Sequence, residues 1–411
     1  MPLIRPFAGL RPSATRAEEV VSPPYDVLSP KAARAHAAGK PWSFLHVTRA
    51  EIDLAPEADA HGADVYEGAR RALRKMLDPG VLKRDPGPRY YVYRVACEGH
   101  EQTGVVSAAS IAAYESGRIR RHEATMPEKE EDRTRHMDAV DAQTGLVFAV
   151  HRANFQVSEI TERICAASPE DDVTDADGVR HSLWVVDDSA DIVRLTGAFE
   201  GMDALYIADG HHRSAAAARV ASQRRKPGDG GDAAWESFLI ASFPDDQVRI
   251  LAYNRLVRSF GGISPETFAA AVGERFDVTP ADGRAEPRGP GEFAMYLERR
   301  WHRLALRKDA PRPQGPVAAL DVSVLGERLL HPILGIGDPR RDSRIDFVGG
   351  ADGLAAAERA VDEGAAAVAF ALYPTSLRDL MVIADRGLMM PPKSTWFDPK
   401  LADGLVTYPF F

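Results

Sequence analysis

Ala204-Leu205-Tyr206-Ile207-Ala208-Asp209-Gly210-His211-His212-Arg213-Ser214-Ala215-Ala216-Ala217-Ala218-Arg219-Val220 changes character at its centre. The first half is an apolar run of the kind a buried strand needs, and the second is an alanine-rich helix former. Asp209 to Arg213 therefore form the turn between a strand and a helix. Gly210 lets the backbone come close to a ligand, the first helical N–H groups have no partner within the helix, and the helix dipole favours negative charge there. Arg213 adds a forked cationic donor, and Asp209 is placed to hold a metal or to cap the helix. The same residues would also make a plain capped helix with two partly buried histidines, His211 and His212.

Length and composition bound what surrounds this turn. A chain of 411 residues with 45% hydrophobic and 27% charged residues is of globular composition and long enough for two or three domains. No apolar run approaches the roughly 20 residues that cross a bilayer, and Met1-Pro2-Leu3-Ile4-Arg5-Pro6 lacks a signal-peptide core, so a cytoplasmic protein without membrane contact is expected. Cys97 and Cys165 make neither a CxxC pair nor a metal box, which agrees with a reducing compartment. A net charge of −9 argues against nucleic acid as a partner.

Working outward, Val20-Val21-Ser22-Pro23-Pro24-Tyr25-Asp26 is a loop, because its two prolines forbid regular helix. Ser43 to Val47 reads as a strand with His46, Arg49 and Glu51 near its end, and Tyr66 to Leu77 as an amphipathic helix that stops before Pro79-Gly80. Tyr90 to Val95 and Thr103 to Ala108 give a hairpin. Arg118 to Arg133 is dense in charge of both signs; Pro127 starts a helix there, which leaves His122 and Glu123 in the preceding loop. A carboxylate flanked by arginines stays ionised and can act as a base, although a solvated helix entrance would look alike. Met126 and Pro127 exclude an HExxH zinc site. Asp171 to Asp177 reads as an acidic loop, Gly178 to Val186 as a strand, Lys226 to Asp232 as a surface linker and Phe238 to Phe243 as a buried strand.

From Pro265 helices and strands alternate. Phe293 to Leu297 and Trp301 to Leu306 form a hairpin, Asp321 to Leu330 a helix, and Arg344 to Gly350 a strand entering a glycine turn. Helix Ala355 to Gly364, strand Ala366 to Leu372 and helix Ser376 to Ala384 follow. Near the end, Pro392-Lys393-Ser394-Thr395 places a lysine and two hydroxyls on a loop, which suits an anion grip or an ordinary turn.

The Asp209-Gly210-His211-His212-Arg213 turn, the His122-Glu123 loop and the Pro392-Lys393-Ser394-Thr395 loop occur in the order found in free L-serine kinases of the ParB/sulfiredoxin superfamily. From about residue 100 onwards the chain resembles those enzymes, and as a whole it resembles a large, mostly uncharacterised bacterial family related to them. The resemblance implies an α/β (α+β) protein with an N-terminal α/β extension over 1–88, a ParB/sulfiredoxin-like nucleotide-binding core over 89–262, and a C-terminal α/β domain over 263–411 that supplies the acceptor loop. It also implies a kinase that uses Mg²⁺ and ATP or ADP to phosphorylate free L-serine or a close analogue. Glu123 would be the general base, Asp209 would hold the metal and the reacting phosphates, and Gly210, His211, His212 and Arg213 would cradle the nucleotide. His122, Lys393, Ser394 and Thr395 would bind the amino-acid substrate. Where the kinases place arginine after the Pro-Lys-Thr-Thr run, this chain has Trp396, which leaves the acceptor open. A nucleotide-binding regulator of the ParB type, and a metal-dependent phosphohydrolase using His122, His211, His212 and Asp209, are the alternatives.

Overall fold

Tyr90–Cys97, rich in tyrosine and valine, and His100–Ser110, apolar and small from Gly104 onward, turn at Glu98-Gly99 and pair antiparallel from Tyr91 with Val106 to Cys97 with His100. Gly99 supplies the left-handed φ of 65° that the tight turn needs. This hairpin lies inside a nine-stranded mixed sheet of a computed structural model that describes residues 2–226, 231–311 and 313–411. The described part of the chain divides into two units, one made of 1–121, 125–248 and 399–411, the other of 122–124 and 249–398.

In the first unit the sheet runs in the order Ile119–Arg120, Leu205–Asp209, Val147–His151, Ser237–Pro244, His100–Ser110, Tyr90–Cys97, Arg180–Val186, Asp171–Thr174, with Ile4–Arg5 added beside Ala108 and Ala109. Leu205–Asp209 is parallel to Ile119–Arg120, and Val147–His151 is parallel to Ser237–Pro244; the other pairs are antiparallel. Ser237–Pro244 is buried along its whole length, as expected of a central strand. Residues 1–88 fold in this same unit. Their helix Ala63–Leu77 buries Val65, Tyr66, Ala69, Leu73 and Met76 on one stripe against Leu10, Val20, Phe44 and Val47.

The strand expected at Ser43 to Val47 is instead a short helix, Leu45–Thr48. Phe44, Val47 and Ala50 recur every third residue and all enter one core cluster, so a helical turn buries what an extended run would have split between two faces. Asp171–Thr174, expected in a loop, is an edge strand paired with Arg180 to Leu183. The turn that closes this hairpin is built by Asp175, whose Oδ1 accepts the N–H groups of Asp177 and Val179, and by Gly178 at φ 79°. Of the linker expected over Lys226 to Asp232, residues 227–230 lie outside the described residues.

The second unit is organised on a six-stranded antiparallel sheet in the order Phe276–Pro280, Arg300–Leu306, Glu292–Leu297, Val368–Leu372, Tyr253–Val257, Ile345–Gly349. One face carries Val257, Phe293, Met295, Phe370 and Leu372 against Phe268, Val324, Leu325, Leu329 and Leu330 from helices and turns. The other carries Ala294, Tyr296, Ala369 and Ala371 against Ala357 of helix Gly353–Asp362. Both units mix helix and sheet, which makes the protein mixed α/β. No helix among the described residues is long and apolar enough to cross a membrane.

The close approach of strands His100–Ser110 and Ser237–Pro244 sets a steric test. A Cβ added at Gly104 would lie 2.6 Å from the carbonyl oxygen of Ser242 and 2.8 Å from Cδ1 of Phe243. Gly104→Ala is expected to destabilise the protein by ~3 kcal/mol, the upper part of the range for overpacking. The urea midpoint should fall at constant slope; an unchanged midpoint would show that the strands part freely.

Candidate functional site

The strand Leu205–Asp209 ends at an irregularity in its pairing with Val147–His151, and Gly210 follows at φ 93°. That left-handed residue turns the chain directly into the helix His211–Arg224. Two features reserve the position for glycine. The dihedral is one, and the other is Arg213, whose side chain folds back so far that a Cβ at Gly210 would lie 2.9 Å from its Nε. The helix is closed by Ser214 N–H donating to Gly210 O at 3.0 Å and buries Ser214, Ala216, Ala217, Val220 and Ala221, so its small residues let it lie close to its neighbours.

Asp209 Oδ1 accepts the Gly210 N–H at 2.8 Å, and Oδ2 accepts the Lys400 ammonium at 3.0 Å. The Arg213 Nη2 stands 3.9 Å from Oδ1. Desolvation opposes ionisation of this carboxyl, yet Lys400, Arg213 and the Gly210 N–H outweigh it and hold Asp209 well below the usual carboxylate range. Lys400 was not singled out in the sequence, because nothing local connects it to a turn nearly two hundred positions earlier.

Arg213 is buried; burial lowers its pKa, but Asp26, Asp209 and Asp403 outweigh that and hold it above the ordinary arginine value. Tyr25 lies between two guanidinium groups, with Arg133 4.2 Å and Arg213 5.8 Å from its ring centroid. Arg133 is anchored by Asp132, which also accepts from Tyr66 Oη. Asp403 reaches the cluster because its backbone pairs with Ser22 in both directions, and its Oδ2 accepts the Tyr25 N–H at 3.3 Å. The proline-containing stretch Ser22 to Asp26 and the tail around Asp403 are thus parts of the Arg213 environment that the sequence reading missed. The usable signal was Tyr25-Asp26 immediately after Pro23-Pro24, a charged and aromatic pair on a backbone that cannot form helix.

The two histidines differ. His211 is buried, whereas His212 is half-buried and its Nε2 accepts the Met126 N–H at 3.0 Å. Met126 is the residue preceding helix Pro127–Val140, so His212 fixes the entry to that helix. This bond requires the imidazole to keep a lone pair on Nε2.

In the second unit the His122-Glu123 segment and the late loop come together, with Met390 N–H donating to His122 O at 2.7 Å. The carboxylate of Glu123 contributes to holding up the charge of Arg340, after the larger effect of Asp338. The late loop is a tight turn. Lys393 has φ 56°, Ser394 Oγ donates to Pro391 O at 2.6 Å, and Thr375 Oγ1 donates to Ser394 O at 2.9 Å. Lys393 is exposed with its Nζ 5.5 Å from the Tyr253 ring centroid, and Ser394 is buried. Trp396 packs on Gly349 and Gly350 and stands edge-on to Tyr253 at 5.3 Å, so it belongs to the packing of this turn.

Asp403 generates a pH prediction. Burial first, with Asp26 in support, raises its carboxyl to about 7 against the opposing charges of Arg213 and Arg133. The folded state therefore binds a proton that the unfolded chain has released, from the ordinary carboxyl range up to about 7, and this group's contribution to stability is lost as pH rises through that window. Asp403→Asn should unfold at higher urea than wild type at pH 8 and at similar urea at pH 5. Parallel pH profiles for the two proteins would remove Asp403 as the titrating group.

Among solved structures, a mutant of free serine kinase in complex with AMP resembles this chain with a TM-score of 0.36 and 14% identity over 72% of this chain and 86% of its own. SbnI with a C-terminal truncation, from Staphylococcus aureus, gives 0.38 and 12% over 72% and 84%, and a conserved hypothetical protein from Pyrococcus furiosus gives 0.36 and 12% over 73% and 93%. No curated protein matches the chain. The model of one family, DUF1015, described as a protein of unknown function, matches residues 4–323, more than half of the chain, and the protein belongs to that family.

Proposed function

We propose that the protein is a small-molecule kinase that moves a phosphoryl group from ATP or ADP to the hydroxyl of free L-serine or a close analogue. The observation that carries the proposal is the turn at Asp209, where a left-handed glycine, an ionised carboxylate and two cations meet at a helix start. Phosphoryl transfer asks for charge neutralisation and orientation more than for covalent chemistry, and these are the groups that supply them. In this reading residues 89–262 act as the ParB/sulfiredoxin-like nucleotide core, Gly210 to Arg213 bind the phosphates, and the reaction takes place in the cytoplasm. Glu123 takes the proton from the acceptor hydroxyl as its oxygen attacks the terminal phosphorus. The bond from that phosphorus to the bridging oxygen breaks, and the shortened nucleotide leaves. Lys393, Ser394 and Thr395, with His122, hold the acceptor.

Mg²⁺ fits this site on one condition. Both oxygens of Asp209 already accept hydrogen bonds, one of them from an ammonium, so a cation reaches the carboxylate only against the competing charge of Lys400. Bound with the phosphates, the metal would supply charge neutralisation, and Asp209 would be its ligand from this turn. Lys400→Met should consequently bind Mn²⁺ more tightly than wild type in the presence of ADP, as followed by the loss of the free-ion EPR signal. Equal affinity would show that Asp209 does not hold the metal.

Phosphorus NMR of the protein with Mg²⁺, L-serine and either nucleotide separates the readings. O-phosphoserine formed by wild type, and reduced at least 100-fold in Glu123→Ala with nucleotide binding retained, is expected for a base of this kind. Inorganic phosphate as the product would point to the phosphohydrolase, and a bound, unconsumed nucleotide to the regulator. Full turnover by Glu123→Ala would end the assignment of the base.

A further inference from the structure

Arg255 is among the most deeply buried side chains of the second unit, on the strand Tyr253–Val257 between Phe347 and Phe370 of its two neighbours. Its guanidinium stacks 4.7 Å from the Phe347 ring centroid and donates to two backbone carbonyls, Tyr253 O at 2.7 Å and Lys393 O at 2.9 Å. Burial lowers its pKa to about 10, with no carboxylate counteracting that effect, yet the group stays charged at neutral pH.

The absence of a counter-ion is the unusual part. Every other buried arginine described above has acids around it: Arg213 has Asp26, Asp209 and Asp403, and Arg133 has Asp132. The acids near Arg255 in the sheet and loop are already taken. Asp346, beside Phe347, pairs with Arg258 at 2.6 Å, and Asp398, just beyond the loop, pairs with Arg249. No ion pair to Arg255 is present among the described residues. An uncompensated buried charge costs several kcal/mol, and a folded chain rarely retains one without use.

The carbonyl it holds belongs to Lys393, whose left-handed backbone is rare for a non-glycine residue and presents a second cation from the same turn. We infer that Arg255 and the Lys393 turn form an oxyanion-binding site, in which a carboxylate or phosphate of a small molecule supplies the missing negative charge and Arg255 both attracts it and fixes the turn. The anion site stands on its own; naming the anion as the acceptor's carboxylate rests on the kinase proposal.

Calorimetric titration of wild type, Arg255→Met and Arg255→Lys with inorganic phosphate, L-serine and L-serinamide tests it. Wild type should bind phosphate, and binding of L-serine but not of L-serinamide would identify the carboxylate as the natural anion. Arg255→Met should bind the anion at least 10-fold more weakly; it also leaves Tyr253 O and Lys393 O without their donor, so binding is compared where the variant is still folded. Arg255→Lys keeps charge without the fork and should fall between the two, and it carries the test if the methionine variant does not fold. Wild type that binds neither phosphate nor L-serine, or variants that bind like wild type, would overturn the anion site. Anion binding lost in Arg255→Met while no phosphoryl transfer occurs in wild type would retain the site and remove the kinase. Transfer with unchanged acceptor KM in Arg255→Met would do the reverse.

Discussion

The buried charge of Arg213 is the constraint from which the first unit's arrangement follows. A guanidinium removed from water persists only if anions and acceptors come to it. Here they come from three distant parts of the sequence: Asp26 on the proline-containing loop, Asp209 at the end of strand Leu205–Asp209, and Asp403 on the tail. Tyr25 adds an aromatic face shared with Arg133. Each partner explains an otherwise odd local feature. Pro23-Pro24 keep the loop extended, Gly210 leaves room for the arginine to fold back, and the exchange of backbone hydrogen bonds between Ser22 and Asp403 pins the tail.

That arrangement has a chemical consequence at Asp209. A carboxylate beside an ammonium and a guanidinium is ionised and largely neutralised by its own chain. It is therefore a poor site for a lone divalent cation and a better one for a cation that arrives with its own anionic ligands, as a metal–phosphate complex does. The same cations that compete with a metal attract phosphate. Charge balance at the turn thus depends on Lys400, which ties the tail to Asp209.

What could be read from the sequence was local. The turn at Gly210, the hairpin from Tyr90 to Ser110, the proline start of helix Pro127–Val140 and the helix up to Leu77 all follow from dihedral preference and periodicity, which act within a few residues. Ser43 to Val47 shows the limit, since a five-residue stretch with three apolar residues satisfies strand and helix alike and the core cluster around Phe44 and Val47 decides. The candidate site residues divide the same way. Asp209 to Arg213 announced themselves by clustering chemistry on one turn, while Lys400 and Asp403 join them only through long-range contacts that leave no local trace. Arg255 was invisible for a different reason: it sits in an ordinary strand pattern, and its distinction is the lack of an acid, which only three-dimensional surroundings can reveal.

Arg213 and Arg255 then pose the same electrostatic problem with different solutions. Arg213 is satisfied by the chain and can remain in place with or without a ligand, so its charge serves architecture at least as much as binding. Arg255 is satisfied only by carbonyl dipoles and ring faces, which stabilise a cation less than a carboxylate does. A difference of that kind leaves free energy to be gained when an anion arrives, and a binding site works by retaining such a gain until the ligand supplies it. The second unit's turn, held by Arg255 at Lys393 O and by Ser394 at Pro391 O, is already shaped before any anion binds. Little ordering then remains to oppose binding, so the missing counter-charge can be expressed as affinity.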